Sequence, residues 1–368
     1  MVLVKAKRDE LLGPLSAVSG IIERRHTLPI LSNVLIERAT GALSFLATDI
    51  EIQITSHGTV EPAGEARALT VGARKLVDIL RALPESAEIT LQQQDKRLLV
   101  KAGKSKFILQ TLPAEDFPRL AKPAGEVARF SLKQKEFRRL LGLVQYSMAQ
   151  QDIRYYLNGL LMVVEDQTLK LIATDGHRLA FASMALDAKL PRQEVIVPRK
   201  TVLELGKLLS DGDAEISIEL STTQASFSFG AVELVSKLID GKFPDYTRVI
   251  PVGHKNQLTI GREVLRQALM RAAILSNEKF RGVRWVLTDG SLKIVSSNTE
   301  QEEAEEVLEV AYKGDALDIG FNVNYLLDVL NNVAGSDVEC RFGDAASSAL
   351  LSFPSEVDFK YVVMPMRI

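Results

Sequence analysis

The chain has 368 residues, 46% of them hydrophobic and 25% charged, and a net charge of -2. That length exceeds one ordinary core and suits two to three domains, and the composition excludes a disordered chain. A single cysteine, Cys340, excludes an intrachain disulfide and fits a reducing compartment. With no apolar leader and no run near the ~20 apolar residues of a membrane span, a cytoplasmic chain without a membrane partner is expected.

In chain order, Leu11, Leu12, Leu15, Val18, Ile21 and Ile22 set a helical period over residues 9–22, with Pro14 in its early part. Strands are predicted at 27–37 and 42–54, a second amphipathic helix at 71–83 stopped by Pro84, strands at 88–94 and 98–111, and a closing segment ending in Phe117-Pro118. After a linker at 121–128 the order recurs: helix 133–148, strands 156–164 and 168–174, helix 198–210, and Phe243-Pro244 at 126 positions from the first such pair. After 251–256 it recurs again, with helix 262–275, strands 282–287 and 291–297, and helix 323–333.

The strand ending Ala173-Thr174-Asp175 restates the one ending Ala47-Thr48-Asp49, 126 positions earlier, and returns as Ser296-Ser297-Asn298, 123 positions later. A period of about 125 residues is too long for a solenoid, so each copy is a domain with its own core: 1–121, 129–250 and 257–368. Two helices against many strands place each in the α+β class. The third copy ends early, on Tyr361-Val-Val-Met-Pro-Met-Arg-Ile368, which on composition alone reads equally well as a frayed end.

The small net charge hides a gradient. Basic against acidic residues number 17 to 14 over 1–125, 16 to 16 over 126–250 and 12 to 17 over 251–368. Glu300, Glu302, Glu303, Glu305, Glu306 and Glu309 face, at the other end of the chain, Lys96, Arg97, Lys101, Lys104 and Lys106. An isolated acidic run is ordinarily a solvated face. Opposite runs at opposite ends of equivalent units suit a head-to-tail contact that closes into a ring or propagates, with Phe107, Ile274 and Leu275 as its dry centre.

Other cations recur along the helices: Arg74, Lys75 and Arg81; Lys133, Lys135, Arg138 and Arg139; Arg199, Lys200 and Lys207; Arg262, Arg266 and Arg271. On one helix this is a polar outer face. On equivalent helices turned inward in a ring it is a basic bore for a polyanion, held by phosphate charge without sequence preference. Loops Arg24-Arg25-His26 and Gln150-Gln151-Asp152-Ile153-Arg154-Tyr155 add donors and a stacking ring.

Catalytic signals are thin. Asp175-Gly176-His177-Arg178 could be an acid/base pair but is also a common turn, and no nucleophile is placed beside it. His26, His57, His177 and His254 lack metal-ligand spacing, and Gly103-Lys104-Ser105 has Leu98 where a phosphate loop needs glycine. No catalytic residue, cofactor or metal is predicted.

Seven stretches in order resemble the bacterial sliding clamps, the beta subunits of DNA polymerase III: residues 27–33, 151–158, 173–180, 196–200, 236–246, 272–283 and 361–367. The resemblance implies three tandem copies of a DNA-clamp domain, two helices packed on antiparallel sheets in each, and a head-to-tail homodimer forming a six-domain ring around duplex DNA. A clamp-loader ATPase opens such a ring, and DNA polymerase subunits and repair proteins dock on it through short linear motifs. The pocket it implies comprises Leu157, Thr174, Gly176, His177, Arg178, Leu179, Pro244, Arg248, Val249, Asn322, Tyr325, Ser348, Val362, Val363, Met364, Pro365, Met366 and Arg367, with Arg154 and Tyr156 at its rim. Ile368 stands where leucine is commoner and Ala346 where a larger aliphatic is usual. For DNA it implies Arg25, Arg74, Gln150, Gln151, Arg154, Tyr155, Arg199 and Lys200, and for the dimer Lys75, Arg97, Lys104, Lys106, Phe107, Ile274, Leu275, Glu302, Glu303, Glu305 and Glu306. The alternatives are a scaffold of the same fold that binds peptides but not DNA, and, more distantly, a hydrolase acting through His177.

Overall fold

The computed structural model describes residues 2–23, 28–39, 42–58, 66–121 and 127–367. The first repeat runs β1 (Val2–Lys7), α1 (Arg8–Ser19), β2 (Asn33–Ala39), β3 (Ala42–Thr48), β4 (Ile52–His57), β5 (Arg67–Gly72), α2 (Ala73–Ala82), β6 (Glu88–Gln94), β7 (Arg97–Ala102) and β8 (Ser105–Leu112). The second runs β9 (Ala128–Lys133), α3 (Gln134–Val144), β10 (Gly159–Thr174), β11 (Arg178–Pro198), α4 (Arg199–Leu208), β12 (Glu215–Leu220), β13 (Gln224–Phe229) and β14 (Val232–Lys237). The third runs β15 (Asn256–Gly261), α5 (Arg262–Ala273), β16 (Gly282–Thr288), β17 (Ser291–Ser297), β18 (Glu303–Glu309), β19 (Leu317–Asn322), α6 (Val323–Asn332), β20 (Asp337–Phe342), β21 (Ala349–Phe353) and β22 (Glu356–Val363).

This order exposes a shorter period that the sequence did not reveal. The first and third repeats are each a strand, a helix and three strands, stated twice. In the second repeat, β10 and β11 are each two strands of that plan run together.

The helices form where the apolar spacing requires them. α1 buries Leu11, Leu15 and Val18, three to four residues apart, and its first turn is closed by the Lys7 backbone N–H donating to Glu10 Oε2 at 2.7 Å. α2 buries Leu76, Val77 and Leu80. Pro14, expected in the early part of the segment, lies in the middle of α1, so the helix continues past a residue without an N–H.

Further expectations change. The strands expected at 42–54 and 98–111 are each two, β3 with β4 and β7 with β8. The segment predicted as a strand at 27–37 opens, in its described part, with a 3-10 turn at Pro29–Ser32, because proline fixes φ and cannot donate to a ladder. The strands expected at 156–164 and 168–174 are one strand, β10, whose register shifts around Asp166; Tyr155–Leu157 is a 3-10 turn. The helix expected to reach residue 148 stops at Val144 and hands over to a 3-10 turn at Gln145–Ser147.

By contact, the chain forms two compact units, Met1–Glu136 with Leu203–Leu238, and Phe137–Val202 with Ile239–Ile368. The first holds one antiparallel sheet in the order β1-β6-β7-β8-β5-β2-β3-β4-β14-β13-β12-β9, in which β4 pairs with β14 of the second repeat. The second holds two sheets, β10-β11-β22-β21-β20-β15 and β18-β17-β16-β19. There β11 pairs with β22 of the third repeat, Leu179 opposite Val362. Strands of the central repeat are thus divided between the units. The chain end is no frayed tail: Tyr361, Val362 and Val363 are buried, and the Met366 N–H donates to Gly320 O at 2.8 Å.

Candidate functional site

The Thr-Asp turn that punctuates the repeat builds the site. Thr174 Oγ1 donates to Arg178 O at 2.6 Å and accepts from the Gly176 N–H at 3.1 Å. Asp175 Oδ1 accepts from the His177 and Arg178 N–H groups, and its Oδ2 takes Arg178 Nε at 3.1 Å. Thr48 and Asp49 make the same bonds in the first repeat, to Ile52 O, the Ile50 N–H and the Glu51 and Ile52 N–H groups. The third position differs: Ile50 holds a φ of 71° against the β-branched penalty, whereas Gly176 holds 90° at no such cost. A Cβ on Gly176 would also lie 2.8 Å from Arg154 Nη1.

Next to this turn lies a cavity of about 190 Å³. Thr174, Gly176, Arg178 and Leu179 form one wall, Tyr156 and Leu157 a second, Phe243, Pro244, Tyr246 and Val249 a third, and Val362 and Met364 at the chain end a fourth, with Arg154 at the rim. Its floor is core: Leu157, Leu179, Phe243 and Val362 are buried in one cluster with Ile172 and Leu161. The Met364 N–H donates to His177 O at 2.8 Å, which fixes Met364 at the cavity while the residue stays 41% exposed.

Behind the wall, Arg178 holds the turn to the neighbouring helix. Its guanidinium donates to Asp328 Oδ2 at 2.5 Å and Tyr146 O at 2.6 Å and lies 4.6 Å from the Tyr325 ring centroid. Burial disfavours this charge, but Tyr361, Asp328 and Asp175 outweigh it and raise its pKa above the ordinary arginine value. Burial pushes the Tyr361 hydroxyl up, and that hydroxyl donates to Tyr325 O at 2.8 Å. Arg154 is tied by two bonds to the Asp152 carboxylate, at 3.0 and 2.8 Å, and by one to Asp175 O at 3.1 Å. The hydrogen bonds from Arg154 hold the Asp152 carboxyl down at about 2.

Of the expected pocket residues, Arg154, Tyr156, Leu157, Thr174, Gly176, Arg178, Leu179, Pro244, Val249, Val362 and Met364 meet around the cavity. His177 stacks on Tyr325 with centroids 6.4 Å apart, and Asn322 caps α6 through the Asn324 N–H. Arg248 points its guanidinium at Asp245, 3.0 Å away, and is not on the wall. Neither are Ser348, Val363, Pro365, Met366 and Arg367; Val363 follows Val362 on a strand, so its side chain takes the opposite face. Phe243 and Tyr246 also line the wall; the resemblance does not name them, and in the sequence Phe243 is legible as a repeat mark alone. The acid/base pair of the hydrolase reading does not form, because both Asp175 oxygens are turned to backbone N–H groups and Arg178.

Models of the DNA polymerase III beta subunit match three successive stretches: the N-terminal domain over residues 3–121, the central domain over 131–245 and the C-terminal domain over 247–367. The Beta sliding clamp of Pseudomonas aeruginosa is 48% identical over 365 residues, covering 98% of this chain and 99% of that one. The chain belongs to the DNA polymerase III beta subunit family, the beta sliding clamps. A crystal structure of that subunit from Pseudomonas aeruginosa is 47% identical and superposes with a TM-score of 0.96, covering all of both chains. A second crystal structure of that clamp, bound to griselimycin, covers all of both chains at 47% identity with a TM-score of 0.95.

Three tandem clamp domains therefore make up this chain, and the remaining expected residues fall on clamp elements. Gln150, Gln151 and Tyr155 are exposed on the loop between α3 and β10, where Gln151 holds a φ of 56°. Arg199 donates to Met148 O at the base of that loop at 3.1 Å, and Lys200 follows it on α4. Arg74 and Lys75 are exposed on the first turn of α2, and Arg25 lies outside the described residues, as does Ile368. Ala346 sits in a loop, its N–H bonded to Asp344, away from the cavity wall.

Arg97, Lys104, Lys106 and Phe107 lie on the β7–β8 hairpin, and among the described residues β8 meets β5 only at Thr111 and Leu112, which leaves one edge open along Ser105–Gln110. Among the described residues, no ion pair involves Arg97, Lys101, Lys104 or Lys106. Among the described residues β18, carrying Glu303, Glu305 and Glu306, pairs only with β17 and is likewise an open edge. Glu306 is met by Arg271 at 2.7 Å and Glu305 by Lys293 at 3.2 Å, while Glu302 accepts from Asn298. Ile274 beside them is 75% exposed and Leu275 half-buried.

Proposed function

We propose that this chain is the protomer of a cytoplasmic processivity clamp, its domains at 1–121, 129–250 and 257–368, which closes head to tail with a second copy into a six-domain ring around duplex DNA. The open β8 edge with its unpaired cations and the open acidic β18 edge support that closure. DNA polymerase subunits, the clamp-loader ATPase and repair proteins dock through short linear motifs in the cavity beside Thr174-Asp175-Gly176, and the griselimycin-bound relative supports a ligand-taking surface. The apolar cavity, floored by core residues and edged by a methionine that can adapt, carries the reading.

The ring needs no bond made or broken: enclosure converts polymerase rebinding into an intramolecular event. Contacts from Arg25, Arg74, Gln150, Gln151, Arg154, Tyr155, Arg199 and Lys200 are shallow and indifferent to sequence, since deep phosphate binding would stop sliding. The test is lifetime on DNA. Clamp loaded on circular duplex is retained, and clamp on linear duplex runs off its ends; equal lifetimes on both refute topological holding.

A further inference from the structure

Beyond the cavity, the same sheet face continues as a shelf that the pocket residues do not use. Alternate residues of a strand share a face. Phe181 therefore follows Leu179 on β11, and Lys360 precedes Val362 on β22, with Leu179 and Val362 both on the cavity wall. Phe181 and Lys360 are direct cross-strand partners. The Lys360 ammonium lies 6.0 Å from the Phe181 ring centroid, and the Tyr246 ring stacks on Phe181 at 5.9 Å. Tyr246 is itself a cavity wall, so cavity and shelf share a side chain.

Both rings are partly exposed and sit on the same buried cluster as the cavity floor, which fixes their position. Lys360 is exposed, and among the described residues it makes no ion pair, Asp358 two residues back included. A cation held over an aromatic face with no counter-charge is a seat for a carboxylate.

We propose that the Phe181–Tyr246–Lys360 shelf is an accessory subsite that takes an acidic residue flanking the apolar segment held in the cavity. It rests on the peptide-docking reading above. The aromatic pair supports the flanking backbone, and Lys360 supplies the charge, so that two partners with equal apolar segments are ranked by the residue beside them.

The full-length protein is titrated with three fluorescein-labelled decapeptides that share a central Leu-Phe pair, one with Asp before the pair, one with Asp after it and one with Ser at both places. One Asp peptide binds about three-fold tighter than the Ser peptide, the scale of a solvent-facing ion pair. Lys360→Ala removes that ratio and leaves the Ser-peptide affinity unchanged, and Lys360→Glu inverts it. Equal affinities for all three peptides, or an Asp preference that survives Lys360→Ala, overturn the shelf and leave the pocket standing. No binding of any peptide, or Ser-peptide binding untouched by Met364→Glu at the exposed cavity edge, overturns the pocket and the shelf with it.

Discussion

Gly176→Ala tests the turn on which the pocket stands. With φ at 90°, alanine there pays a left-handed backbone penalty of about 1–2 kcal/mol. Its Cβ would also lie 2.8 Å from Arg154 Nη1 and 3.0 Å from Nη2, so the guanidinium must move and its bond to Asp175 O is lost. That bond faces solvent, so its loss adds a smaller cost to the backbone penalty. The backbone penalty alone lowers the melting temperature of the transition by roughly 2–8 °C, at about 2–4 °C per kcal/mol for a unit of some 200 residues, and the displaced guanidinium adds to it. Gly290→Ala, at φ 70° in the same unit with nothing within 4 Å, carries the backbone penalty alone. In an Arg154→Ala background the cost of Gly176→Ala falls to that of Gly290→Ala, because the group in the way is gone. Scanning calorimetry on the four combinations reads the cycle. Equal cost for Gly176→Ala in both backgrounds refutes the account of the wall.

Ile274→Ala with Leu275→Ala is expected to give monomers by light scattering at concentrations where the wild type is dimeric, since Ile274 is 75% exposed in the single chain and the proposed ring closure would bury it; an unchanged mass removes these residues from the interface. For Asp152, the folded carboxyl titrates at about 2 against ~3.9 for an unfolded aspartate. Its anchor to Arg154 is therefore fully present above about pH 4 and is lost as pH falls through 2. A carboxyl-carbon NMR titration follows it directly, and a midpoint near 3.9 contradicts the bonds assigned to Arg154.

Local signals carried far, and long-range pairings carried nothing. The Thr-Asp turn was legible because its hydrogen bonds close within four residues, Thr174 to Arg178 and Thr48 to Ile52, so the sequence that makes them is contiguous. The helices were legible in their middles, through triplets such as Leu11, Leu15 and Val18, and not at their ends. β11 went unread because Ala180, Ala182, Ser183 and Ala185 have too little apolar contrast to show alternation, and Pro191 interrupts the run. The pairing of β4 with β14, Ile52 opposite Ser236, leaves no trace in either neighbourhood, and neither does that of β11 with β22. The residues around the cavity are named by resemblance and not by local pattern. Their partners across the fold, Arg178 with Asp328 150 residues away, are named by neither, because nothing around either residue names the other.

Two bare strand rims of opposite sign have a consequence for solubility. An uncovered rim of backbone donors and acceptors invites any similar rim to zip onto it, which is how sheets grow into aggregates. Here the β7–β8 hairpin bristles with cations and β18 with carboxylates, so like repels like along both. Only an unlike pair can approach, and salt that screens the repulsion would loosen that selectivity along with the attraction. The same side chains that steer the right match thus guard a crowded solution against the wrong ones.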